Sequence, residues 1–133
     1  MAVSLGFAPG QVVQEFYADD DVDQVLRSQV ATETGNEIVD PDHGDIVDGV
    51  VIWWRADDAE QEDLADVLVD ALSNLDEDGG VIWVLTPVAG SRDEVAVGDV
   101  EEAAQVCGLQ CTSSTKVADR WGGMRMVARG WTR

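Results

Sequence analysis

Asp48-Gly49-Val50-Val51-Ile52-Trp53-Trp54 is answered further along by Asp78-Gly79-Gly80-Val81-Ile82-Trp83-Val84-Leu85. Each stretch opens on a turn and continues as an unbroken run of β-branched and aromatic side chains, the pattern of a strand covered on both faces. Between them Leu64, Val67, Leu68, Ala71, Leu72 and Leu75 recur at helical spacing, which predicts one apolar face of a helix of about four turns. A buried strand, a helix and a second buried strand imply a right-handed crossover between parallel neighbours.

Toward the amino terminus, Leu5 to Gly10 is turn-rich and Gln11 to Tyr17 supplies Val12, Val13, Phe16 and Tyr17 for a first strand. Asp19, Asp20, Asp21 and Asp23 suit the positive end of a helix, and Val22, Val25, Leu26 and Val30 carry its stripe to about Thr32. Gly35 is the predicted stop. Glu37 to Asp40 reads as a short second strand, and the loop to Gly49 is rich in Asp, Pro and Gly.

Toward the carboxyl terminus, Thr86-Pro87 closes the second buried run and Ala89 to Glu94 is a loop. Val100, Ala103, Ala104 and Cys107 predict another helix, with Gly108 as its cap. Gln110 to Val117 and Met124 to Arg129 read as an antiparallel hairpin around Arg120-Trp121-Gly122-Gly123. The expected fold is a single α/β domain over residues 1–133. It is a three-layer α/β/α sandwich on a mostly parallel, mixed sheet of about five or six strands.

The 133 residues are 45% hydrophobic, ample for one core, despite a formal net charge of −19. Residues 1–115 hold 26 acidic and three basic side chains, whereas residues 116–133 hold one acidic and five basic. Such a body repels nucleic acid and anionic membranes, so neither is expected as a partner, and it favours basic proteins or cations. Solubility or adaptation to high salt explains the same charge. No run is long enough to span a membrane, and Met1 to Pro9 is too short and uncharged for a secretory signal, so a cytoplasmic location is expected. Cys107 and Cys111 fit buried apolar roles rather than a disulfide.

The succession "DGVVIWW", helix, "DGGVIWVLTP", helix ending "CGL" and hairpin ending "RWGGMRMVAR" resembles the carboxyl-terminal half of class I S-adenosylmethionine-dependent methyltransferases, over about residues 45 to 129. "LGFAPGQ" and "RWGGMRMVAR" also look like a family of small uncharacterised actinobacterial proteins, a domain of unknown function with a trimmed methyltransferase-like fold. The resemblance implies a fold and no particular activity.

The chain departs from the methyltransferase pattern where the cofactor would be held. Nucleotide and S-adenosylmethionine sites need glycines after the first strand, so that backbone and helix amides approach the ligand. Here the turn reads Tyr17-Ala18-Asp19-Asp20-Asp21, and its acids repel phosphates. Asp40 stands where such enzymes keep an acid for ribose hydroxyls, although Asp before Pro also forms turns.

Other constellations fall short of chemistry. Asp40 to Asp45 lacks the glycine and the closing glutamate of a calcium loop. One histidine and two cysteines make no ordinary zinc site, and no Gly-x-Ser-x-Gly elbow occurs. Glu60, Glu62, Asp63 and Asp66 read as the hydrated face of the Leu64 to Leu75 helix. Trp53 and Trp54 are expected to point to opposite faces, and Trp121 either folds back over the sheet or stays exposed as a docking anchor. Lys116, Arg120, Arg125, Arg129 and Arg133 offer internal ion pairs, a self-association patch or an anion site. Thr32 and Thr34 are candidate phosphate acceptors.

Besides a purely structural subunit, which would need a permanent, mostly apolar interface, two functions are consistent with these residues. The first is a non-enzymatic, acidic protein-interaction or regulatory module on a degenerate methyltransferase-like scaffold, with no cofactor, metal or catalytic residue, and with Arg120, Trp121 and Arg125 as partner-binding candidates. The partner would be a protein, basic in character, or a second copy. The alternative is a small-molecule binder of the S-adenosylmethionine type, or an enzyme, using the crevice at the carboxyl ends of the strands. Its candidates are Tyr17, Asp19, Asp20, Asp40, Arg55, Thr86 and Pro87.

Overall fold

A computed structural model describes residues 4–76 and 80–128. Along them run β1 (Val13–Phe16), α1 (Gln24–Thr34), β2 (Gly49–Trp53), α2 (Ala56–Gln61), α3 (Leu64–Ser73), β3 (Val81–Pro87), α4 (Val97–Val106), β4 (Leu109–Ala118) and β5 (Trp121–Ala128). The strands form one mixed sheet in the order β1-β2-β3-β5-β4. β1, β2 and β3 are parallel, whereas β5 pairs antiparallel with both β3 and β4.

The side-chain alternation of a strand sends successive residues of β2 to opposite layers. Val50, Ile52 and Trp54 join Leu64, Val67, Leu68, Ala71, Val100 and Ala104 in a core beneath α3 and α4. Val51 and Trp53 join Leu5, Phe7, Val22, Leu26, Val30, Trp83 and Trp121 in a second core beneath α1. The adjacent tryptophans therefore separate as their spacing requires. Burial on both faces is why the run lacks polar residues, and it makes the fold the expected three-layer α/β sandwich.

Side chains pack closely against the backbone at several glycines, Gly49 and Gly123 among them. A β-carbon on Gly49 would lie 2.2 Å from the Phe7 ring, and one on Gly123 would lie 2.9 Å from both Leu85 and Val117. Gly35, with φ of 75°, closes α1 in the left-handed conformation and donates to Ala31 O.

Several boundaries differ from expectation. The predicted strand at Glu37 to Asp40 is reduced to one parallel bridge, Val39 to Gln14. α1 begins after its cap Asp23 and runs to Thr34, two residues beyond the stripe. α3 stops at Ser73, and Leu75 instead makes a buried bridge to Val47. α2 had no apolar stripe to announce it: all of its side chains lie outside the buried core. Glu60, Glu62, Asp63 and Asp66 do not share one helix face, because Glu60 belongs to α2 while Glu62 and Asp63 form the corner before α3.

The hairpin turn sits at Asp119-Arg120, so Trp121, Gly122 and Gly123 already belong to β5 and pair with Pro87, Thr86 and Leu85. The later strand of the hairpin is thus inserted beside β3, leaving β4 at the edge. Asp78, Gly79, Arg129 and Arg133 lie outside the described residues. No helix among the described residues is long and apolar enough to cross a membrane.

Candidate functional site

Open α/β sheets bind ligands beyond the carboxyl ends of parallel strands, at the point where the strand order reverses. That point lies between β1 and β2, because the chain leaves β1, bridges outward at Val39 and returns on the other side as β2. Phe16-Tyr17 and Trp53-Trp54-Arg55 converge there. Tyr17 has φ of 61°, the one positive value among described non-glycine residues, where a glycine would be unstrained. Its ring meets Trp54 edge-on at 5.5 Å. Burial pushes its phenol up, and the carboxylates of Glu62, Asp58 and Asp70 add to the effect.

Arg55 fills the gap between the two strand ends. Its residue is 5% exposed. Nε donates to Asp21 Oδ2 at 2.7 Å and Nη2 to Asp21 Oδ1 at 2.5 Å. Nη1 donates to Asp58 Oδ2 at 3.1 Å and to the carbonyls of Tyr17 and Trp53 at 3.2 and 3.1 Å. Trp121 covers this arrangement: the guanidinium carbon lies 5.2 Å from its ring centroid, and its indole N–H donates to Asp21 O at 3.3 Å. Burial alone would pull the guanidinium down, but its hydrogen bonds with Asp21 and Asp58 outweigh that and raise it. The same bonds hold the Asp21 carboxyl below the usual carboxylate range.

This corrects the expected part of Arg55, whose donors face the protein's own oxygens rather than an open crevice. Trp121 takes the folded-back alternative. At 3% exposed, and edge-on to Trp53 at 4.8 Å, it is a core residue and presents no ring to a partner. Asp21 and Asp58 are the residues that sequence reasoning missed. Their signal was indirect: Arg55 is one of three basic residues before Lys116, placed directly after a buried strand, where a guanidinium needs carboxylates.

The remaining candidates separate. Asp20, Pro87, Arg120 and Trp121 line one cleft of about 630 Å³ beside Arg92. Asp19 is exposed on the preceding turn, and Thr86 is half-buried in its pairing with Gly122. Asp40 acts as a turn former, its Oδ1 accepting from Asp42 N at 3.0 Å. Arg125 is half-buried on β5 and donates to Thr112 Oγ1 at 2.9 Å. Thr32 is exposed, but Thr34 is 4% exposed and donates to Val30 O at 3.0 Å, which corrects the expectation that it accepts phosphate.

Tyr17 lines a different cleft, of about 470 Å³, with Gln14, Phe16, Pro41, Asp70, Ser73 and Asn74. Gln14 is 1% exposed, its Nε2 donates to Asp40 O at 3.1 Å, and its Oε1 has no partner. On the opposite face Glu15, also buried, accepts from Trp53 Nε1 at 2.7 Å and from Arg27 at 2.9 Å through both oxygens. No group of three or more metal-ligating side chains occurs among the described residues.

A profile described as "Protein of unknown function (DUF3052)" matches residues 2–130. An uncharacterized protein of Mycobacterium tuberculosis and one of Mycobacterium bovis are each 39% identical over 126 residues, spanning 95% of this chain and 77% of theirs. Among solved structures, the mitomycin 7-O-methyltransferase MmcR superimposes with a TM-score of 0.65 at 11% identity, covering 96% of this chain. This chain spans only 51% of that enzyme's length. A TehB-like SAM-dependent methyltransferase of Corynebacterium glutamicum gives 0.59 at 11% identity, over 92% of this chain and 83% of that one. At such identities the likeness is one of fold.

Proposed function

The chain belongs to the DUF3052 family of proteins of unknown function, and from that premise we propose that it is a non-enzymatic, acidic protein-interaction or regulatory module on a methyltransferase-like scaffold. One observation carries this reading. The switch point, where an open sheet of this type receives its ligand, is spanned by Arg55, whose donors are satisfied by Asp21, Asp58 and two carbonyls. Opening it would strand a buried guanidinium, a cost no weak ligand offsets. The glycine-free turn at Tyr17 to Asp21 acts in the same direction.

What remains for function is the surface. A net charge of −19 steers basic proteins toward the molecule and repels nucleic acid and anionic lipid. The reading places the protein in the cytoplasm, in keeping with its two free thiols.

A small-molecule reading has one observation in its favour, the unpartnered Gln14 Oε1 beside the Tyr17 cleft. A thermal-shift scan with S-adenosylmethionine, S-adenosylhomocysteine, nucleotides and divalent cations separates the two. Ligand at about 100 times its dissociation constant adds about 2.7 kcal/mol, a rise of several degrees in a domain of this size. The interaction reading expects no rise with any of them, and proteins captured on the immobilised chain should elute as salt increases. A clear rise with one ligand overturns it.

A further inference from the structure

We propose that the groove between α2, α3 and α4 is a docking site for a basic amphipathic helix of another protein. The inference rests on the interaction reading above and says where on the surface that interaction occurs.

The groove has a volume of about 730 Å³. Its rim carries Glu60, Glu62, Asp63, Asp66, Asp99 and Glu102, and no lysine or arginine lines it among the described residues. Asp63 is occupied as the cap of α3, accepting from Ala65 N at 3.0 Å. Among the described residues none of these acids forms a salt bridge, and Arg55, which adjoins α2, is committed to Asp21 and Asp58. A groove of one sign between low-dielectric walls focuses its field, so it attracts cations more strongly than the same charges spread over a convex surface.

Charge alone marks no site, and the floor supplies the second requirement. Trp54, Leu64, Ala65, Val95 and Ala103 line it with apolar atoms, and Val106 stands at its edge. Val106 is 73% exposed at the end of α4, an apolar side chain the core does not use. An apolar floor inside an acidic rim matches a helix with Leu or Val at positions i, i+3 and i+4 or i+7, flanked by Lys or Arg. An anionic membrane presents the wrong sign, and a nucleic acid presents neither the sign nor the apolar face.

The test uses the full chain and a fluorescently labelled helical peptide with a leucine face flanked by lysines, read by anisotropy at low salt. A peptide with glutamate for lysine is the charge control. Three proteins are compared, each checked for its fold by circular dichroism: wild type, E62K/D66K/E102K in the groove, and E37K/D42K/D45K on exposed residues remote from it in sequence. A fourth, Val106→Ser, removes the exposed apolar contact.

The groove triple should weaken binding of the lysine peptide by about tenfold or more, the remote triple by about twofold, and V106S by about threefold. The glutamate peptide should not bind. Equal loss in both triples means diffuse attraction: the groove proposal falls while the interaction reading stands. No binding of the lysine peptide to wild type at low salt overturns the groove and removes its support from the interaction reading. A wild-type dimer in sedimentation that the groove triple dissociates makes a second copy the occupant and overturns the proposal as stated.

Discussion

Arg55 and Asp21, 34 residues apart in sequence, meet in two parallel hydrogen bonds that close the gap between the ends of β1 and β2. The geometry is a guanidinium fork on a carboxylate, an arrangement lysine cannot reproduce. Asp21 remains half-exposed while Arg55 is buried, so the pair is anchored from the arginine side.

Removing the arginine should therefore cost more than removing the acid. Arg55→Ala removes the side-chain donors to the carbonyls of Tyr17 and Trp53 and to the Asp21 carboxylate, leaves Asp58 only the backbone N–H of residue 55, and opens space under Trp121. We expect a loss of about 2–4 kcal/mol, with Arg55→Lys recovering less than half. Urea denaturation measures both, and an Arg55→Lys variant as stable as wild type would show that the fork is dispensable.

The pair also sets a pH dependence. Its hydrogen bonds with Arg55 lower the Asp21 pKa on folding, so its contribution is complete above the unfolded value of about 4 and is lost as pH falls through the lower folded value. Asp21→Asn should be less stable than wild type at pH 7, and the gap should shrink below about pH 4. Denaturation midpoints across pH 3 to about 8 read this directly; a gap that widens in acid contradicts the assignment.

Gly123 lies where β5 passes under Trp83, Leu85 and Val117, and an added methyl group would meet the buried side chains of Leu85 and Val117 at 2.9 Å. Gly123→Ala should lower stability by about 1–3 kcal/mol, against the usual gain from replacing glycine in a strand. A neutral result in thermal denaturation would mean that β5 shifts freely.

The two threonines should respond oppositely to a negative charge. Thr34→Asp buries a carboxylate among the carbonyls of the last turn of α1 and should cost about 2–4 kcal/mol, whereas exposed Thr32→Asp should stay within about 0.5 kcal/mol. Equal melting temperatures for the two variants would contradict this.

Burial pushes the thiols of Cys107 and Cys111 up, with Asp63 and Asp66 adding at the former and Glu101 at the latter. Native protein at pH 7 should react slowly with a thiol reagent and accelerate at a higher pH than the ordinary thiol value of about 8.5. Urea-unfolded protein should react at the ordinary rate. Equal native and unfolded rates would show that the thiols are not shielded.

Much of the architecture was legible because burial on both faces leaves a mark in sequence. The runs at Val50 to Trp53 and Val81 to Leu85, and the stripe from Leu64, are apolar at every position that faces a core. α2 was not legible, since a short helix with no buried residue has no periodicity to detect. Glu37 to Asp40 erred in the other direction, its strand-like residues pairing at Val39 alone.

The candidate site divides along the same physical line. Local pattern determined the sheet, its helices, the acidic surface and the absence of glycines from the turn after β1, because each depends on neighbours within one element. That Arg55 meets Asp21, that Trp121 turns inward, and how the acids around Glu62 gather with Asp99 and Glu102 over an apolar floor depend on chain segments 34 residues or more apart. Such contacts form only when packing brings strand ends and helix ends together, and no spacing rule along the chain encodes them.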